Sequence, residues 1–150
     1  MRTVIQRVSS ANVIIDGIVN GSIDHGFLIL LGIETADTSE DVQWLCNKII
    51  NLRIFGDEAG HMNKDILSVD GNILLISQFT LHASYKKGNR PSFMKAARAE
   101  HAIPLYETFT KQLNHLLGKP IQTGIFGADM KVHLVNDGPV TIVMDSRNRE

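Results

Sequence analysis

Ser77-Gln78-Phe79-Thr80-Leu81 places three hydrogen-bonding side chains in an otherwise apolar run that begins at Ile73. In a strand, alternation puts Gln78 and Thr80 on one face and Ser77 and Phe79 on the other, unless the strand ends or bulges there. Two readings are open. The strand is emerging into solvent, or its end presents hydroxyl, amide and backbone N–H groups to a pocket walled by Phe79. A second stretch, Asn136-Asp137-Gly138-Pro139-Val140-Thr141, lies between alternating apolar positions. Asp-Gly takes positive φ angles readily, so this reads as a hairpin turn. Pro139 fits poorly, because it has no N–H to give to the strand that follows. A third stretch, from Lys86 to Arg98, holds Lys86, Lys87, Arg90, Lys95 and Arg98 with no acidic residue among them. It is either a solvated loop or a row of cations for phosphates.

Other familiar chemistry is absent from the sequence. There is no Walker loop, dinucleotide fingerprint or nucleophile elbow. His25, His61, His82, His101, His115 and His133 show no metal-ligand spacing with each other or with Cys46, so no metal and no cofactor is expected. Cys46 has the spacing of a helix core residue rather than of a reactive thiol.

The elements that must position these stretches follow from periodicity. Arg2 to Ile33 is rich in Val and Ile and broken at Asp16-Gly17 and His25-Gly26, which predicts successive antiparallel strands. Thr38 to Asp41 offers a cap for a helix running to about Arg53, with Val42, Leu45, Cys46, Ile49 and Ile50 at helical spacing. Ile66 to Leu81 reads as a hairpin about Asp70-Gly71, whose outgoing strand is apolar on both faces and therefore central. Pro104 opens a second helix with Leu105, Phe109, Leu113, Leu116 and Leu117 on one face, ended by Gly118 and Pro120. The expectation is one α+β domain over residues 1–150, with a mainly antiparallel, barrel-like sheet and two main helices.

Composition narrows the class of protein. At 150 residues, 43% hydrophobic and net charge −1, no bulk charge points to nucleic acid or membrane. The longest apolar run, Phe27 to Ile33, is far short of the ~20 residues of a spanning helix, and the first residues do not resemble a secretion signal. A cytoplasmic protein without a membrane partner is expected, and a single cysteine agrees with a reducing compartment.

Taken together, the stretches Ser77–Leu81 and Asn136–Thr141, joined to the opening Met1–Gly17, resemble the D-aminoacyl-tRNA deacylases, also called D-tyrosyl-tRNA deacylases, along the entire chain. The resemblance implies a homodimer, in the cytoplasm, that hydrolyses the ester between a D-amino acid and the 3′-terminal adenosine of tRNA. It implies that Ser77, Gln78, Phe79, Thr80 and Leu81 form the first active-site motif. Asn136, Gly138, Pro139 and Thr141 match the second, in which the Gly-Pro bond is cis and reaches into the partner's active site. Arg7 matches an arginine that braces this unit. Ser77 and Phe79 set the chain apart from a related family that removes L-alanine and has Pro and Ala at those positions. A cis bond before proline costs only about 0.5–1 kcal/mol, against about 2.5–4 elsewhere.

Selection in the family is by exclusion, since neighbouring carbonyls hold the amino group and leave no room for an L side chain. A 10⁴-fold preference needs about 5.5 kcal/mol, more than one neutral hydrogen bond at about 0.5–1.5. Glycine has no side chain to exclude, so glycyl-tRNA is expected as a partial substrate. Thr80 is the obvious nucleophile by analogy, yet no base stands beside it in sequence. The preferred expectation is that Thr80 and nearby amides orient the ester and stabilise its oxyanion, while water or the ribose 2′-OH contributes the chemistry. Lys86, Lys87 and Arg90 are expected to touch the RNA, on charge alone.

Overall fold

The Val- and Ile-rich start of the chain forms β1 (Arg2–Ile15), which turns at Asp16-Gly17, both at positive φ, into β2 (Ile18–Ile23). The break at His25-Gly26 leads into β3 (Gly26–Gly32). These three strands are antiparallel: β3 pairs with the first half of β1 and β2 with its second half. The computed structural model describes residues 1–150. Helix α1 (Ser39–Ile50) follows, opened by a capping box between Thr38 and Asp41. The short strands β4 (Phe55–Gly56) and β5 (Met62–Lys64) pair with each other. Then come β6 (Asn72–Ser77), α2 (Ala99–Leu117), β7 (Gln122–Thr123) and β8 (Lys131–Asp145).

The main sheet runs β2-β1-β3-β6-β7, with β8 along the other edge of β1. Its ends curl towards each other, and the Asn20 side chain of β2 donates to the Thr123 carbonyl of β7 at 2.8 Å. The sheet is therefore a nearly closed barrel in a single domain, as the α+β expectation requires. The antiparallel pairs are joined by two parallel ones, β3 with β6 and β6 with β7.

Both faces of the sheet are buried in its middle. Ile5, Phe27, Ile29, Ile73 and Leu75 meet the helices through Leu45, Cys46 and Ile49 of α1 and Phe109 and Leu113 of α2. Val8, Ala11, Val13, Leu28, Leu74 and Ile76 form a separate cluster inside the barrel. Each such fully buried Leu, Ile or Phe contributes roughly 1.5–3 kcal/mol. Strand β6 supplies residues to both clusters, which is why its sequence is apolar without alternation and why it lies between β3 and β7.

Three sequence expectations are corrected. No hairpin forms about Asp70-Gly71, although Asp70 does take a positive φ of 49°. The residues before it coil into a turn in which Asp65 accepts from the Ser68 amide and hydroxyl, and β6 pairs in parallel with β3 instead. Helix α2 starts five residues before Pro104, at Ala99, because Ala102 and Tyr106 anchor its first turns in the core. Pro104 only removes one donor from an exposed face. Asn136 to Gly138 is not a hairpin either, since β8 pairs with the same strand, β1, on both sides of it.

Candidate active site

Strand β6 ends at Ser77, opposite Leu31 of β3. The Gln78 amide makes one last bond to the Leu31 carbonyl at 2.7 Å, and residues Phe79–His82 then wind into a single 3₁₀ turn. Strand alternation therefore stops at Ser77, and the tight turn brings Gln78 and Thr80 into contact directly: Gln78 Nε2 donates to Thr80 Oγ1 at 2.5 Å. The first bond of the turn runs from the Leu81 amide to the Gln78 carbonyl. The amides of Phe79 and Thr80 precede that bond and are outside it, as the first amides of any helix are.

Gly32 lets this turn lie against β3. A Cβ there would stand 2.9 Å from Leu81 Cβ and 3.0 Å from the Gln78 carbonyl oxygen. From β1, Arg2 Nη1 donates to the Leu81 carbonyl at 3.1 Å. Beneath the turn, His82 is buried with neither ring nitrogen hydrogen-bonded, and its Nδ1 lies 4.0 Å from Glu34 Oε2. Burial lowers the His82 pKa, assisted by the positive charges of the Met1 amino group and Arg2 and opposed by the nearby Gly32 backbone and by Glu34.

Ser77, Gln78 and Phe79 line one side of a cavity of about 280 Å³, with Leu31, Ile33 and Ile76 at its floor. Phe126, Met130 and Val132, from the β7–β8 connection and the start of β8, line the other side. Thr80 is exposed just outside the lining and tied to it through Gln78. Gln78 is the only side-chain hydrogen-bond partner of the Thr80 hydroxyl, so no base is placed to activate it. The arrangement suits a role in polarising a carbonyl oxygen with the hydroxyl and the free amides of the turn.

Where β8 passes Arg7, the ladder opens. Gln6 pairs with Thr141 and Val8 with Asn136, so Arg7 alone stands opposite Asp137, Gly138, Pro139 and Val140. The four residues form an outward loop whose Gly138–Pro139 peptide bond is cis, with Gly138 at φ 134°. That answers the misfit of Pro139, because no ladder bond is asked of it. Asn136 closes the loop: its Oδ1 accepts from the Val140 amide at 2.9 Å and its Nδ2 donates to Thr141 Oγ1 at 3.1 Å. Arg7 ties the loop down, Nε donating to the Asp137 carbonyl at 3.0 Å and Nη1 to the Ile54 carbonyl at 2.5 Å.

Gly138 and Pro139 face a second hollow of about 440 Å³, shared with Arg7, His25 and Phe55. This hollow and the first have no lining residue in common. The structure thus gathers Arg7, Asn136, Gly138, Pro139 and Thr141 in one cluster and Ser77, Gln78, Phe79 and Thr80 in another, and does not join the two within one chain. Lys86, Lys87 and Arg90 are exposed on a loop between the 3₁₀ turn and α2. Phe126, Met130 and His82 carry no motif in sequence, and only the folded chain assigns them to the site.

A nearly closed barrel with a largely apolar cavity at the end of a central strand is a fold that known proteins share. The family described as D-Tyr-tRNA(Tyr) deacylase matches residues 4–145. A Bacteroides fragilis protein named D-aminoacyl-tRNA deacylase is 64% identical over the whole of both chains. A solved structure named c-Myc DNA Unwinding Element Binding Protein has 41% identity and a TM-score of 0.92, covering 97% of this chain and 98% of its own. A second, described as a probable eukaryotic D-amino acid tRNA deacylase, shares the fold at 14% identity with a TM-score of 0.81 over 95% and 97% of the two chains. The chain belongs to the D-aminoacyl-tRNA deacylase family and is a hydrolase. No helix is long and apolar enough to cross a membrane.

Proposed function

We propose that this enzyme cuts the ester between a D-amino acid and the 3′-terminal adenosine of tRNA, in the cytoplasm and as a homodimer. Gly138 and Pro139 of one copy complete the cavity of the other in this reading. The observation that carries it is the separation of the two clusters on a single chain. A rigid loop, braced by Arg7 and Asn136 and standing outside its own chain's cavity, is suited to wall off a neighbour's. Such a wall rejects an L side chain by clash and ignores a D side chain that points outward. Glycyl-tRNA, with nothing to clash, is then a partial substrate. The ester carbonyl is oriented by Thr80 and the amides of the 3₁₀ turn, and the attacking oxygen comes from water or the ribose 2′-OH.

The test is amino-acid release from D-tyrosyl-, L-tyrosyl- and glycyl-tRNA at equal enzyme concentration. D released fast, glycine measurably and L at the rate in buffer is the expected pattern. Release of no ester above buffer would overturn the catalytic reading. It would leave a nucleic-acid-binding module as the second reading, which the 41% identical relative favours, being named for binding a DNA element.

A further inference from the structure

Between the 3₁₀ turn and α2 the chain leaves the cavity rim and returns to it. It departs at Ala83, after the turn that carries Phe79, and comes back at Ala97, which itself lines the cavity and donates its amide to the Ile33 carbonyl at 2.9 Å. The excursion is pinched at its waist, where Ser84 and Ser92 exchange two backbone bonds of 2.7 and 2.8 Å. Just past the waist Phe93 meets Phe79 edge to face, with ring centroids 5.1 Å apart. Beyond it the seven residues Tyr85–Pro91 project as a closed loop. Seven residues there and back reach no further than about 12 Å.

That loop carries a particular chemistry. Lys86, Lys87 and Arg90 are exposed, and none makes an ion pair with any carboxylate of the chain. Beside them Tyr85 is 78% exposed, with no aromatic ring and no cation of its own chain stacked on its face. An exposed aromatic ring among unpaired cations is poorly explained by stability. It is the combination that binds unpaired nucleotides, cations following the backbone while a ring stacks on a base. Duplex recognition by phosphate contact alone has no use for the ring.

We propose that Tyr85–Pro91 clamps the single-stranded 3′ end of an RNA whose terminal nucleotide enters the cavity, with Tyr85 stacked on a preceding base and Lys86, Lys87 and Arg90 on the phosphates. This rests on the deacylase reading for what occupies the cavity. The loop's place at the rim makes it a guide for the strand rather than a reader of the acyl group.

The test compares Tyr85→Ala and the triple variant Lys86→Ala, Lys87→Ala, Arg90→Ala with the parent, using D-tyrosyl esters of whole tRNA, of the CCA trinucleotide and of adenosine. The ratio of kcat/KM on the trinucleotide to that on adenosine is expected to fall about 10-fold or more in both variants. In the triple variant the salt dependence of binding to the trinucleotide, which has two internucleotide phosphates, flattens by up to about 1.4 in slope, whereas Tyr85→Ala lowers affinity and leaves the slope as it was. A loss of kcat/KM confined to whole tRNA would overturn the single-strand assignment, as would a loss of equal size on all three esters. If the parent cuts none of the three, the deacylase reading fails on its own. Anisotropy of a labelled CCA-ended RNA then decides the clamp separately, weaker binding in the variants supporting it and equal binding overturning it.

Discussion

Replacing Arg7 by Lys tests whether the Gly138–Pro139 loop works as a rigid wall. Arg7 is 14% exposed in its side chain and reaches two backbone carbonyls at once, Asp137 from Nε and Ile54 from Nη1. A lysine keeps the charge and the apolar stem, but its single ammonium cannot span both carbonyls, so one charged hydrogen bond is lost. Such a bond contributes about 1.5–3 kcal/mol. The ion pair to Asp137 Oδ2, at 3.3 Å and on a half-exposed partner, adds at most about 1 kcal/mol and is retained by lysine. A loss of about 1.5–3 kcal/mol shifts the balance between the held and the loosened loop roughly 10- to 150-fold. It lowers Tm by about 3–12 °C in a chain of this size. The assay is release from D- and L-tyrosyl-tRNA beside a thermal melt. The L rate should rise towards the D rate, so that the D/L ratio falls within that range. A lower Tm with an unchanged D/L ratio would refute the reasoning, showing that Arg7 holds the fold together and not the wall.

Gly138→Ala should impair D-ester release by 10-fold or more, since an L residue at φ 134° is strained and the new Cβ would lie 2.8 Å from Val140 Cγ2 and 3.0 Å from Arg7 Nη2. Parental kinetics in that variant would show that the loop yields freely. Thr80→Ala should retain substantial activity, because nothing beside the hydroxyl can activate it; complete loss together with a trappable acyl-enzyme in the parent would make Thr80 the nucleophile. Burial disfavours the charged form of His82 in the fold, whereas the unfolded chain binds a proton below about pH 6.5. Stability therefore falls as pH drops through that value, by at most about 1.4 kcal/mol per pH unit, and His82→Leu should flatten urea midpoints measured between pH 7.5 and 5.5. An identical pH slope in parent and variant would remove His82 as the cause. Cys46 is fully buried in the helix-side core and its thiol pKa is raised by that burial, so thiol reagents should label it only at the rate of unfolding.

The sequence carried the parts of this fold that repeat a local rule. The Asp16-Gly17 turn and the capping box at Thr38 depend on neighbours a few residues away, and the unalternating run of β6 displays its burial on both faces in its own composition. Its failures share one cause, a partner distant in the chain. Asp70-Gly71 forms a turn but no hairpin, because β6 pairs with β3, more than 40 residues earlier in sequence. Asn136–Gly138 has a hairpin's composition, yet β1 supplies a single partner strand for both flanks. The two motifs of the site were legible as motifs. The apolar far side of the cavity at Phe126 and Met130 was not, since those residues look like any others in a connection until the barrel curls around them.

The outward loop of β8 also fixes an arithmetic for the strand. On its near side Val132 and Leu134 pack inside the barrel, and on its far side Ile142 and Met144 pack towards the helices, although all four have even numbers. In an unbroken strand they would share one face. Four residues opposite one leaves three in excess, and an odd excess is what turns the strand over. Removing or adding one residue here would send one half of β8 into the wrong layer, whereas a change of two would leave both layers filled and alter only the reach of the loop. Its length can therefore drift only in steps of two, so a loop whose tip serves specificity is constrained by parity in the sheet that anchors it.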